Sequence, residues 1–90
     1  MQALVSVRLH PSSRAVIDGF KAASSSFPEV LSAYIVSGPE DFVLLVALPS
    51  LERLHDFLAD RLATRREVAD FHTSVIFWQS QNAAPTPLPD

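Results

Sequence analysis

The five residues Ser37-Gly38-Pro39-Glu40-Asp41 carry the kinds of group that bind a small zwitterion. The carboxylates of Glu40 and Asp41 can accept hydrogen bonds from an ammonium group, and exposed turn amides can donate to a carboxylate. Gly38 permits unusual backbone angles and close approach of a ligand. The combination would suit an amino acid. Composition alone favours a simpler interpretation, in which the two acidic residues only keep an exposed turn soluble.

Other polar side chains give weaker signals. The hydroxyls of Thr73 and Ser74 could contact a ligand or simply occupy a strand edge. The three histidines His10, His55 and His72 are far apart in the sequence and show no metal-binding spacing. There is no cysteine, nucleophile motif or phosphate-binding loop. We therefore predict no metal site, no cofactor and no catalytic residue.

A central hairpin is predicted to carry the turn. Residues 30–48 contain two apolar runs rich in Val, Ile, Tyr, Phe and Leu, which favour strands. Gly-Pro between them is a strong turn signal. The remaining elements are expected to cover this hairpin or to pair with it.

Strands and helices are predicted on both sides of the hairpin. Apolar side chains alternate along residues 3–9, which predicts a first strand. Ser12 or Ser13 is the expected N-cap of a helix that runs to about Ser25. Ser50 is an expected N-cap for a second helix, and residues 68–79 end in a last strand. The apolar stripe of the second helix, expected in the core, comprises Leu51, Leu54, Leu58 and Leu62.

This order predicts an α+β fold of the ferredoxin-like βαββαβ class, with a four-stranded antiparallel sheet and two helices on one face. Both side-chain rows of the second, third and fourth strands are largely apolar, whereas a sheet with one wet face should alternate. We therefore expect a homodimer that packs sheet on sheet. Phe77 and Trp78 are expected to be interface or core anchors. The domain should span residues 1–79, followed by a disordered proline-rich tail at 80–90.

Composition limits the possible functions. The chain has 90 residues, is 48% hydrophobic and carries a net charge of −3. Nucleic-acid binders usually carry a basic face, so this polypeptide alone should bind DNA poorly. It shows neither a signal peptide nor an apolar run long enough for a membrane helix. We expect a soluble cytoplasmic protein with no membrane partner.

Residues 3–79 resemble the regulatory domain of the Lrp/AsnC (feast/famine) transcription regulators. The motifs that carry the resemblance are Gly38-x-x-Asp41-Phe42, Pro28-Glu29-Val30 and the closing segment Val68-Ala69-Asp70-Phe71-His72-Thr73-Ser74. The resemblance implies a sandwich that dimerises through its sheets as a dimeric α/β barrel. Such dimers commonly assemble further, often to octamers. Full-length members also carry a helix-turn-helix domain that this chain lacks, so DNA contact would require that absent domain.

The resemblance also implies a small effector, typically an amino acid, bound in clefts between dimers. Carried onto this sequence, it points to a ligand site made of Ser37, Gly38, Glu40, Asp41, Thr73 and Ser74, with Tyr34 and Phe42 as neighbours. It favours a non-enzymatic sensing domain of a transcription regulator, present here alone or separated from its DNA-binding part.

Two other functions stay open. One is a small dimeric α+β-barrel enzyme, of monooxygenase or isomerase type, that uses His10 or His72 as an acid or base. It would need a closed pocket between sheet and helices with a histidine inside. The other is an assembly module without a ligand, in which the turn from Gly38 to Asp41 only contacts a neighbouring dimer.

Overall fold

The structure, a computed structural model, describes residues 1–82. Four strands form one antiparallel sheet in the order β2-β3-β1-β4. The elements in chain order are β1 (Gln2–Leu9), α1 (Arg14–Ser26), β2 (Val30–Ile35), β3 (Phe42–Ala47), α2 (Leu51–Phe57), a π-helical turn (Leu58–Leu62) and β4 (Val68–Val75). This arrangement confirms the predicted α+β ferredoxin-like class. Residues 83–90 of the predicted tail lie outside the described part of the chain.

Both helices begin at the serines that the sequence favours. Ser13 caps α1, since its hydroxyl accepts a hydrogen bond from the Val16 amide at 3.4 Å. Ser50 caps α2 in the same way, accepting from the Arg53 amide at 3.2 Å. These side chains satisfy amides that the helix itself leaves without an acceptor.

One face of the sheet, called the covered face, is closed by the helices. Period-2 alternation places the odd-numbered residues of β1 and the even-numbered residues of β3 on it, and all of them are buried. The helices contribute Phe20, Leu54, Phe57 and Leu62 to the same core. The ring of Phe20 meets that of Phe42 edge-on at 4.9 Å between centroids. The residues of the covered face on these two strands are Ala3, Val5, Val7, Leu9, Phe42, Leu44 and Val46.

The second helix differs from the predicted regular one. It changes from α to π geometry at Leu58, where the Ala63 amide donates to the Leu58 carbonyl at 2.9 Å. This turn holds one more residue than an α-helical turn, so the buried positions along it do not keep the α-helical spacing of 3.6 residues. Leu51, at the exposed first turn, is 53% accessible, so its prediction as a core residue was wrong. Phe57, which the predicted stripe omitted, is buried instead.

The last strand is shorter than predicted, because regular pairing with β1 ends at Val75 rather than near Gln79. The prediction that Phe77 and Trp78 are core anchors was wrong: the side chains are 96% and 81% exposed. Their alternative role, as interface residues, stays a prediction.

A bulge in β2 changes which of its residues share a face. The register shifts between Val30 and Ser32, so Val30 lies opposite Val46 on the covered face. Tyr34 lies opposite Val43 on the other face, here called the open face. Strict alternation along residues 30–36 predicts that Val30 and Tyr34 share a face. That prediction was wrong, because the irregular pairing interrupts the alternation.

The open face is apolar over only part of its width. Its β4 residues Asp70, His72 and Ser74 are polar, so the expectation that both rows of the fourth strand are apolar was wrong. Apolar side chains concentrate on β3 and its neighbours. This apolar patch comprises Leu4, Tyr34, Val43, Leu45 and Ala47. Within residues 1–82, neither helix has the length and hydropathy needed to cross a membrane.

Candidate ligand-binding site

The turn between β2 and β3 is exposed and uses the freedom of glycine. Gly38 has φ of +113°, a backbone angle that L side chains rarely adopt. Ser37 and Pro39 on either side are exposed. The Val36 amide donates to the Asp41 carbonyl at 3.0 Å and closes the turn. The backbone of this turn is therefore exposed to solvent and is held by a hydrogen bond at its base.

Asp41 has a structural role that the sequence did not indicate. Its carboxylate Oδ2 accepts a hydrogen bond from the Leu9 amide at 2.7 Å. Its own amide donates to the Val7 carbonyl at 2.9 Å. The two bonds attach the turn to the end of β1, where the pairing with β4 shifts register between Arg8 and Leu9. One oxygen of this predicted ligand-binding carboxylate is thus committed to the protein backbone.

Glu40 is the carboxylate of the turn that remains available. It is partly buried, and it makes no side-chain hydrogen bond or ion pair with another residue in the range 1–82. An ammonium or amide group of a ligand could therefore bind Glu40 without displacing an existing partner.

Thr73 and Ser74 lie on opposite faces of β4. Thr73 pairs with Val5 and so faces the helices, where its Oγ1 is buried without a hydrogen-bond partner among the described residues. Ser74 pairs with Leu4 and is exposed on the open face. Strand β1 separates β4 from β3, which puts about 10 Å between them across the sheet. A single chain therefore does not bring these hydroxyls next to the turn.

The two aromatic residues predicted beside the site also differ. Phe42 is buried and packs on Phe20, so its side chain supports the turn from the core rather than offering a surface to a ligand. Tyr34 is 53% exposed on the open face and belongs to the apolar patch.

The histidines do not form a catalytic arrangement. His10, His55 and His72 are all exposed, and His72 Nε2 lies 3.4 Å from Asp70 Oδ2 at the surface. No group of three or more potential metal ligands occurs within residues 1–82. The space between sheet and helices is filled by the core side chains. The histidine-lined pocket that the enzyme hypothesis requires is therefore not formed by the described residues.

A cleft that the sequence did not indicate lies at the opposite end of the hairpin from the turn. Its volume is about 500 Å³. It is bounded by the end of β3, by Glu29 ahead of β2 and by one side of α2 with the π-helical turn. The lining residues are Glu29, Ala47, Leu48, Pro49, Arg53, Asp56, Phe57, Asp60 and Arg61. A repeat pattern within one segment does not predict this cleft, because it depends on how α2 packs beside the end of β3.

Comparison with known proteins gives a consistent result. The model of the protein family described as "Lrp/AsnC ligand binding domain" matches residues 2–83. The HTH-type transcriptional regulator AldR of Mycolicibacterium smegmatis is 35% identical over 85 residues, which cover 94% of this chain and 50% of that protein. The chain thus spans about half the length of the curated relatives it matches.

Solved structures agree in fold. The crystal structure of MtbAldR superimposes with a TM-score of 0.82 at 29% identity, covering 92% of this chain and 57% of that one. The L-Met complex of the transcriptional regulator NMB0573 from Neisseria meningitidis superimposes with a TM-score of 0.79 at 23% identity, covering 93% and 55%. Because the identity to NMB0573 is only 23%, this similarity shows a shared fold and nothing more.

Proposed function

The chain belongs to the Lrp/AsnC ligand-binding domain family, and from this premise we propose that it binds a small amino-acid effector and assembles into homo-oligomers. In this proposal it acts in the cytoplasm as the regulatory part of a transcription regulator and is not an enzyme. Its relatives carry the names of transcriptional regulators. DNA would be contacted only through a helix-turn-helix domain outside this chain.

The observation that carries the proposal is the exposed turn with Gly38 in a left-handed conformation and Glu40 without a partner in the described chain. Turn amides and the Ser37 hydroxyl can bind a ligand carboxylate, while Glu40 can bind its ammonium group. Both charges of a zwitterion would thus find a complementary group. One related fold was crystallised with L-Met, which supports an amino acid as the class of ligand.

The complete site is proposed to form between chains. The turn lies at the end of β2 and β3, whereas Thr73 and Ser74 lie on the other edge strand. Two chains that place the turn of one beside β4 of the other would unite both predicted halves. The exposed Ser74 hydroxyl would then supply a further hydrogen bond. The Thr73 hydroxyl, buried on the other face of β4, would do so only after its side chain turned out of the core.

Assembly is proposed to begin with a dimer that buries the apolar patch. Contiguous exposed apolar surface on a soluble domain marks an interaction site. Two copies of the open face would bring Leu4, Tyr34 and Leu45 of each chain out of water. Effector sites between such dimers would connect ligand binding to higher assembly, such as an octamer. A ligand shifts this equilibrium only through its different affinity for the two assembly states.

Isothermal titration calorimetry and light scattering with the twenty protein amino acids test this function. We expect one or a few to bind and to change the mass distribution. Glu40→Gln is the informative variant: it removes a ligand-facing charge and leaves the Asp41 bond to Leu9 intact. Binding should weaken about tenfold or more while the dimer persists. Absence of binding by every amino acid at millimolar concentration would contradict the proposed sensing role.

An assembly module without a ligand is the second candidate. The Asp41 bond to the Leu9 amide favours it, because this structural use of the carboxylate accounts for Asp41 in the turn without any effector. In that case Glu40→Gln would alter assembly in the absence of amino acids. Asp41→Ala cannot separate the two candidates, since it also removes the bond that attaches the turn to β1.

A further inference from the structure

We propose that the segment 76–80 of one chain adds a strand to the free edge of β2 in a second copy, where Phe77 and Trp78 pack on exposed apolar side chains. This contact rests on the homo-oligomer proposed above and goes beyond burial of the apolar patch. Each chain carries two apolar surfaces that have no partner within residues 1–82, one at each edge of its sheet.

The residues after β4 favour a strand but find none to pair with in their own chain. Ile76, Phe77 and Trp78 are β-branched or aromatic, the residue types enriched in strands. The Ile76 amide donates to the Gln2 carbonyl at 2.9 Å, and no later residue up to 82 bonds to β1. Met1 bonds instead to the residue that follows β3. The side chains of Phe77 and Trp78 are consequently 96% and 81% exposed.

The edge strand β2 carries the matching surface. It pairs with β3 on one side, and its other side has no strand partner in the described part of the chain. Three of its large apolar side chains are more than half exposed, at 55% for Leu31, 53% for Tyr34 and 55% for Ile35. An exposed apolar edge strand is a template for pairing with another chain.

The exposed side chains of β2 lie on both faces of the sheet. Tyr34 lies on the open face, whereas Ile35 is paired with the buried Phe42 and so lies on the covered face. Successive residues of an added strand alternate in the same way, so Phe77 and Trp78 would point to opposite faces. One aromatic ring would pack beside Tyr34 and the other beside Ile35. Backbone hydrogen bonds to β2 would supply affinity, and the side-chain contacts would fix the register.

A second copy of the chain is the occupant that these surfaces favour. Within one chain β2 and β4 are about 14 Å apart, three interstrand spacings, so the segment after β4 does not lie beside its own β2. Two copies related by a twofold axis would form the contact twice, because each donates one segment and receives the other. Tyr34 also belongs to the apolar patch, so the added strand would continue the proposed dimer interface.

The area that this exchange buries is sufficient for a stable dimer. The two exposed aromatic side chains of each copy amount to about 300 Å² of accessible surface. The segments of both copies, together with equal areas of the β2 edges that they cover, would bury about 1,200 Å² in total. Specific interfaces need about 1,000 Å².

The single tryptophan of the chain, Trp78, reports directly on this contact. Its emission maximum and its quenching by acrylamide are measured over a dilution series of the full chain, and light scattering gives the mass at each concentration. We expect a blue-shifted emission and a severalfold lower quenching constant in the oligomer, with full accessibility in the monomer. An oligomer in which Trp78 stays accessible would overturn the strand addition and leave the proposed assembly standing.

Two other outcomes of the dilution series would also overturn the strand addition. A monomer at every concentration would contradict the proposed assembly as well. Protection of Trp78 that persists in the monomer would mean that the segment packs on its own chain.

Two matched substitutions locate the acceptor surface on β2. Ile35→Lys places a charge at the edge of the sheet and should leave Trp78 accessible at concentrations where the unsubstituted chain protects it. Leu51→Lys is the control, because Leu51 is 53% exposed on α2, nearly as much as Ile35, and should change nothing. Phe77→Ala alters a side chain outside the core, keeps the reporter and should weaken association about tenfold or more. Protection of Trp78 in Ile35→Lys, or unchanged association in Phe77→Ala, would overturn the inference.

Discussion

The two faces of the central strands are built from the same apolar residue types but have different surroundings. On β3, Leu44 is buried on the covered face, while its chain neighbour Leu45 lies on the open face and remains partly accessible. On β1, Val5 is buried and Leu4 is exposed in the same way. The covered face receives its partners from α1 and α2 within the chain.

The difference shows that an apolar side chain on a strand does not by itself identify the core. The covered face is complete, since helix side chains fill the space above β1 and β3. The open face places Tyr34, Val43 and Leu45 side by side with no covering element within residues 1–82. Polar residues on β4 limit this patch on one side. A second copy of the chain that packs against this patch would bury it, as the helices bury the covered face.

The largest contrast is expected between truncations of adjacent leucines. Leu44→Ala should lower the free energy of unfolding by about 3 kcal/mol, because it leaves a cavity in a filled core. Leu45→Ala should cost less than about 1 kcal/mol in the monomer and should instead weaken the dimer. Urea denaturation at several protein concentrations measures both effects.

The control in this experiment is the concentration dependence. For Leu45→Ala the stability difference from the unsubstituted chain should grow at concentrations where the latter is dimeric. An equal loss for both variants in the monomeric range would contradict the assignment of the two faces.

Much of the fold could be predicted from local patterns in the sequence. Alternation in β1 and β3, serine caps at Ser13 and Ser50, and Gly-Pro in the turn each depend on residues close in sequence. These signals place the elements, and the order of elements then restricts the topology. The turn was also identified correctly as an exposed segment with a glycine in an unusual conformation.

The failures concern features that depend on distant or irregular contacts. The bond from the Leu9 amide to Asp41 joins residues 32 positions apart. The β2 bulge interrupts a regular period, so Val30 and Tyr34, which that period assigns to one face, lie on opposite faces of the sheet. The cleft around Glu29 requires three separate segments to meet. Such features follow from tertiary packing, and a repeat pattern in one segment does not contain them.

A smaller effect is expected at the polar contact that closes one end of the covered face. Leu9 is a core residue whose amide is satisfied by Asp41 Oδ2. Asp41→Ala should cost about 2 kcal/mol, because it removes a charged acceptor from a partly buried amide. Asp41→Asn retains a side-chain oxygen and should recover about half of the loss. Thermal unfolding, with hydrogen exchange at the Leu9 amide, measures this. Unchanged exchange in Asp41→Ala would show that the contact has no role in solution.

The smallest effects should come from the two hydroxyls of β4. The Thr73 hydroxyl lies on the covered side and has no hydrogen-bond partner within residues 1–82. Thr73→Val keeps the shape and removes that oxygen, so we expect it to be neutral or to stabilise the chain by about 1 kcal/mol. Ser74→Ala, on the open face, should change stability by less than about 0.5 kcal/mol. Urea denaturation measures both changes in the free energy of unfolding. Isothermal titration calorimetry with the amino acid that binds the unsubstituted chain measures the affinity of each variant.

If the Thr73 hydroxyl binds the effector, Thr73→Val must weaken effector binding while the free energy of unfolding stays the same or rises. A clear loss of stability in Thr73→Val would instead mean that the hydroxyl has a hydrogen-bond partner within the folded chain or its dimer. Its role would then be structural.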